Sequence, residues 1–205
     1  MTHRIPVNPG QVEWSGDNPG IYLKRLGDGP FTALALFFRV VLSPHGRGTA
    51  MLVLGDPDIA AGWPDARNLC IGDNQSLSRY LIDEFVTNMP AFRGKVSLAH
   101  ARFLPLTSAC TLGSTDSRFA EVVESSKLVV EMVWEHLGTP FAVELKKNES
   151  STGAHEIVSI FLEAHSAQIT LDGKTLDGQV VDQQRFGRSI STAFLAFSET
   201  WIKPA

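Results

Sequence analysis

The chain has little that would staple or anchor it. It contains two cysteines, Cys70 and Cys110, among 205 residues. Neither has a CxxC partner or a Cys/His neighbour, so a disulfide framework and a zinc site are both without support. Long apolar runs are missing too. The longest, FTALALFF at 31–38, ends at Arg39 and is far too short to span a bilayer. Basic charge is scarce: 18 Lys and Arg against 22 Asp and Glu leave a net charge of −4. Nucleic-acid binding needs a clustered basic surface to neutralise phosphates, and no such cluster is present. Arg185 and Arg188 come nearest to one and read as solvated loop charges. No GxSxG elbow, Walker-type loop or GxGxxG segment occurs, and the six histidines show no HxH or HxxxH spacing. No metal or cofactor is expected.

What is present fits one globular unit. Hydrophobic residues make up 43% of the chain and charged residues 20%, which argues against disorder. A chain of this length buries about 70% of its unfolded surface and needs no staple to fold. The first thirty residues are rich in Pro and Gly, with Asn-Pro-Gly at 8–10 and again at 18–20. They read as an irregular N-terminal arm over 1–30, anchored by Trp14, ahead of a single β-rich domain over 31–205. The opening segment lacks the apolar stretch of a secretory signal, and with two reduced thiols the expected compartment is cytoplasmic.

Several stretches read as strands. FTALALFFRVVL and TAMLVL are apolar on both faces and flank a Ser-Pro/Gly turn, so an antiparallel pair covered on both sides is expected. A loop-like stretch over 55–74 follows, with a short strand over 69–71. Leu77, Leu81, Phe85 and Met89 then recur at every fourth position, the stripe of an amphipathic helix over about 75–88. Asp73 or Asn74 caps it and Met89-Pro90 ends it. The segment 118–137 fits helical spacing as well, but its valines and the Ser125-Ser126 break favour strands. LGTP at 137–140 resembles a hairpin connection. Further strands are expected at PFAVELKK, at EIVSIFLEAH, at AQITL before the Asp172-Gly173 turn, and as one long strand from SISTAFLAFSETWI. The fold class expected is mainly β, or α+β: an antiparallel barrel or sandwich with one helix.

Three places invite chemistry. Asp73 stands with Gly72 and Asn74 at a helix N-terminus, where N–H groups favour anions, yet a cap is the simpler reading. On EIVSIFLEAH, Phe161, Glu163 and His165 share one face, and Glu131 stands among apolar residues near Trp134 in the same manner. A ligand pocket has this composition, mostly apolar with a few polar groups, although a solvated sheet face has it too. On SLAHARFLPL, His100 and Arg102 share a strand face, and Arg102 is suited to clamp a carboxylate.

The expected function is binding of a small, partly apolar molecule in an internal pocket. The candidate ligand-binding residues are Asp73, His100, Arg102, Glu131, Trp134, Phe161, Glu163 and His165, with no catalytic residue assigned. One alternative is an isomerase or hydrolase using acid/base chemistry on the same scaffold. Another is a homodimeric interaction protein with no small-molecule site. Neither nucleic acid nor membrane is expected as a partner.

Overall fold

The computed structural model describes residues 10–126 and 128–205. Strands form 56% of the chain and helical segments 9%, so the protein is mainly β. In chain order the elements are β1 (Gly10–Asp17), β2 (Gly20–Lys24), β3 (Phe31–Leu42), β4 (Gly48–Leu54) and β5 (Asn68–Gly72). A helical segment follows: α1 (Gln75–Tyr80), a π turn over Leu81–Phe85 and a 3-10 turn over Val86–Asn88. After α2 (Ser97–His100) come β6 (Arg102–Pro105), β7 (Ser108–Gly113), β8 (Arg118–Ser125), β9 (Leu128–Leu137) and β10 (Phe141–Leu145). The last elements are β11 (Glu156–Leu171), β12 (Lys174–Thr175), β13 (Asp182–Arg185), β14 (Arg188–Ser191) and β15 (Ala193–Pro204).

Thirteen strands join in one sheet: ten run in the order β6-β5-β4-β3-β1-β15-β11-β9-β8-β7, β10 and β12 pair with β11, and β2 pairs with β3 and β15, while β13 and β14 form a separate hairpin. Every pairing in the sheet is antiparallel except β5 with β6, so it is mixed. The apolar runs at 31–38 and 49–54 do pair, and their alternate side chains enter two different cores. Ala33, Ala35 and Phe37 meet Met51, Val53, Val130, Met132, Trp134, Leu162 and Ile169 on the inner face. Leu34, Leu36 and Phe38 pack on the outer face with Trp14, Tyr22, Phe161, Phe194 and Trp201. Strands far apart in the sheet order contribute to one inner core, so the sheet is rolled. At the end of that core Arg39 reaches both oxygens of Glu121, at 3.0 and 3.2 Å, and also Thr111 at 2.9 Å.

The helical segment covers part of the outer face, burying Leu77, Leu81, Ile82, Phe85 and Val86. Its cap is Asn74, whose Oδ1 accepts from Leu77 N at 3.0 Å, while its Nδ2 donates to the carbonyl oxygens of His45 and Arg47. The long stretch before β5 is held by Asn68. That side chain is fully buried and bonds to backbone atoms of Asp56, Ile59 and Ala61.

Several expectations change. The irregular arm does not hold over 10–24, where β1 and β2 lie in the middle of the sheet beside β3 and β15; residues 1–9 lie outside the described residues. The Asn-Pro-Gly at 18–20 is the joint between them: Asn18 N donates to Ala196 O and Pro19 O accepts from Phe37 N, so the ladder continues through the turn. Gly20 is required there, because a Cβ would come within 2.7 Å of the Phe194 ring. His100 and Arg102 do not share a strand face, since His100 ends α2. LGTP is not a hairpin, since β10 pairs with β11 rather than β9. SISTAFLAFSETWI is two strands, divided at the buried Thr192.

Candidate functional site

A cavity of about 1000 Å³ lies on the outer face, between the sheet and the β13–β14 hairpin. Tyr22 of β2, Phe161 and Ile157 of β11, and Phe194, Glu199 and Trp201 of β15 line it from the sheet side. Phe141, Val143 and Leu145 of β10 form a wall, and Met89 to Ala91 form another. The hairpin supplies Arg185, Phe186 and Arg188. Its turn, Phe186-Gly187, has positive φ at both residues, 54° and 71°. That is the twist a tight two-residue hairpin requires, and it sets the Phe186 ring edge-on to Phe161 at 5.2 Å.

The floor is aromatic. Phe161 and Phe194 stack at 4.9 Å, and Tyr22 meets Phe194 edge-on at 5.5 Å. Over these rings lies the Arg185 guanidinium, 4.6 to 5.3 Å from the centroids of Phe161, Phe186 and Phe194. Such faces attract a cation while leaving its N–H edge unspent. Among the described residues, that guanidinium has no hydrogen-bond acceptor and no ion-pair partner. Arg188 lies over Phe141 at 4.3 Å and 3.8 Å from Glu163.

At the buried end Glu199 Oε1 accepts from Trp201 Nε1 at 2.7 Å and from Asn18 Nδ2 at 3.0 Å. Both Asn18 and Glu199 are buried, and among the described residues Asn18 Oδ1 has no hydrogen-bond partner. Burial pushes the Glu199 carboxyl above its ordinary range, against those two donors and the charge of Arg185. Burial likewise pushes the Tyr22 phenol up to about 12, with Arg185 opposing, so it stays a neutral donor. The site thus combines aromatic walls with an unspent guanidinium, while the orphaned amide oxygen is sealed behind the lining.

No protein family, curated protein or solved structure matches the chain. Function therefore rests on the chemistry of this site.

The residues expected to bind are scattered. Phe161 alone lines the cavity. Glu163 Oε2 accepts from Ser191 N at 3.1 Å and lies near Arg188, so it holds the hairpin onto β11. His165 is exposed. Trp134 fills the inner core and donates Nε1 to Gly20 O at 3.1 Å. Glu131 faces the other way and pairs with Arg118 at 3.1 Å. Asp73 accepts from Thr49 N at 2.8 Å and braces β4. Arg102 is exposed on β6. Cys70 is buried, its thiol pushed up to about 12 by desolvation, and Cys110 is exposed on β7. Among the described residues no metal-ligand cluster forms, and no helix is long and apolar enough to cross a membrane.

Arg185, Asn18, Tyr22 and Glu199 were not singled out as binding residues from sequence. The signal for Glu199 is hidden by a bulge. Strict alternation puts it on the face opposite Phe194 and Ala196. Ser198, with φ of 52°, breaks that alternation, and the β11–β15 register shifts opposite Ser159. Glu199 and Trp201 therefore share the outer face with Phe194. A bulge re-aims every later side chain in this way.

Proposed function

We propose that this protein binds a small, partly apolar molecule in the cavity between the sheet and the β13–β14 hairpin. The scaffold is read as a barrel-like roll, with its inner core filled by side chains and its ligand held outside that core. One observation carries the reading: the cavity is about 1000 Å³, walled by aromatic rings, and carries a guanidinium with no acceptor among the described residues. Pockets for small molecules combine such apolar walls with a few placed polar groups.

The test uses phenylnaphthylamine, a neutral dye that brightens in apolar surroundings. One equivalent is expected to bind with enhanced fluorescence. Ala91→Trp, which puts bulk on the partly buried lining without touching the polar groups, is expected to abolish that signal while the circular dichroism spectrum is kept. Absence of binding to the parent protein, or equal binding by the variant, refutes the reading.

Acid/base catalysis at the same cavity has one feature in its favour, the buried carboxyl of Glu199 held toward its protonated form. Pairing between two copies also has one: all six residues of β7 are exposed, and among the described residues its backbone pairs with β8 alone. Light scattering settles the latter, with a mass near the 22.4 kDa of one chain opposing it.

A further inference from the structure

Resting on that reading of the cavity, we propose that its ligand is a small aromatic carboxylate. Arg185 takes the carboxylate. Its guanidinium is positioned by three phenylalanine rings rather than by an acidic side chain, and its N–H edge has no acceptor among the described residues. A guanidinium fork matches a carboxylate in two parallel hydrogen bonds.

The acidic residues at the cavity do not already occupy that fork. Glu144 is 2.7 Å from Lys146 Nζ, and Glu149 Oε2 accepts from Lys146 N at 3.0 Å. Glu163, just outside the lining, stands by Arg188 and Ser191. Glu199 acts on Arg185 through its charge without forming an ion pair, and both of its hydrogen bonds fall on one oxygen.

The rings of Phe141, Phe161, Phe194 and Trp201 on the lining suit a flat apolar body beside the guanidinium. A neutral apolar molecule would leave that N–H edge without a charged partner, so the charge-assisted pair sets the preference.

Displacement of phenylnaphthylamine by four probes tests this: para-hydroxyphenylacetate, phenylacetate, and the methyl ester of each. Each acid is expected to displace the dye roughly tenfold or more better than its ester, since charge-assisted hydrogen bonds are lost in the ester. In Arg185→Met the ratio of acid to ester is expected to fall to about one, and in Arg185→Lys to an intermediate value, because charge remains without the fork. Where a variant no longer takes the dye, calorimetry on the same four probes supplies the ratios. Equal displacement by acid and ester, or an acid preference that survives Arg185→Met, overturns the inference and leaves the cavity reading standing. Failure of the parent protein to bind dye and probes alike overturns both.

Discussion

Replacing Arg39 by Met tests how the rolled sheet is held at one end. Arg39 of β3 bonds to both oxygens of Glu121 on β8, whose side chain is 1% exposed, and also to Thr111 on β7. Removing one partner of a buried pair costs about 3–5 kcal/mol, chiefly because the other charge is left uncompensated. Two features lower that figure. The Arg39 side chain is 37% exposed, and Thr111 Oγ1 still donates to Glu121 at 3.0 Å in the variant. About 2–3 kcal/mol is therefore expected near neutral pH, after discounting for solvent screening. For a chain of this length that lowers Tm by about 4–12 °C. The loss must also depend on pH. Burial already raises the Glu121 carboxyl, with Arg39 the foremost opposing influence, so removing Arg39 raises it further. A raised native pKa means that the stabilising contribution is complete below the unfolded value and is lost as pH climbs through the native one. The Tm gap between parent and variant should thus narrow from about pH 8 to about pH 5. Calorimetric melts across that range, with Arg39→Met/Glu121→Gln as a control that recovers part of the loss, make the measurement. A gap that is constant with pH, or below about 1 °C, refutes the account.

Two further outcomes are expected. Glu199→Gln keeps an acceptor for Trp201 and Asn18 but removes a group that burial holds toward its neutral form; the parent loses stability as pH rises through the raised value, so the variant should gain relative to it toward alkaline pH, read as urea midpoints. Asn68→Leu leaves the backbone groups of Asp56, Ile59 and Ala61 unpaired beside β5, and should cost about 2–4 kcal/mol by chemical denaturation.

Much of the fold is legible where local chemistry dominates. The two-faced apolar runs of β3 and β4 predict two cores, and Leu77, Leu81 and Phe85 predict the helical cover, because each pattern reports burial directly. The strands β8 and β9 follow from their valines. What is not legible depends on distant partners. Gly10 to Lys24 looks irregular because its Pro and Gly suit turns, yet β3 and β15 satisfy its backbone on both sides. Glu163 and His165 share an alternating pattern, but the hairpin packed over β11 decides that only one of them is shielded. Arg185 looks solvated until three rings from separate segments gather beneath it.

The placement of β15 also bears on the order in which this chain can fold. Last of the described strands, it lies in the middle of the sheet between β1 and β11. During synthesis the early strands can pair among themselves, and β8, β9 and β11 can do so later, but neither group is joined until residues 193–204 leave the ribosome. The same strand carries Phe194, Glu199 and Trp201. Completion of the sheet and appearance of the cavity are therefore one event, and any partly made chain lacks both. Contacts spanning nearly the whole sequence are slow to form, and until they form the edges of β1 and β11 stay open to wrong partners.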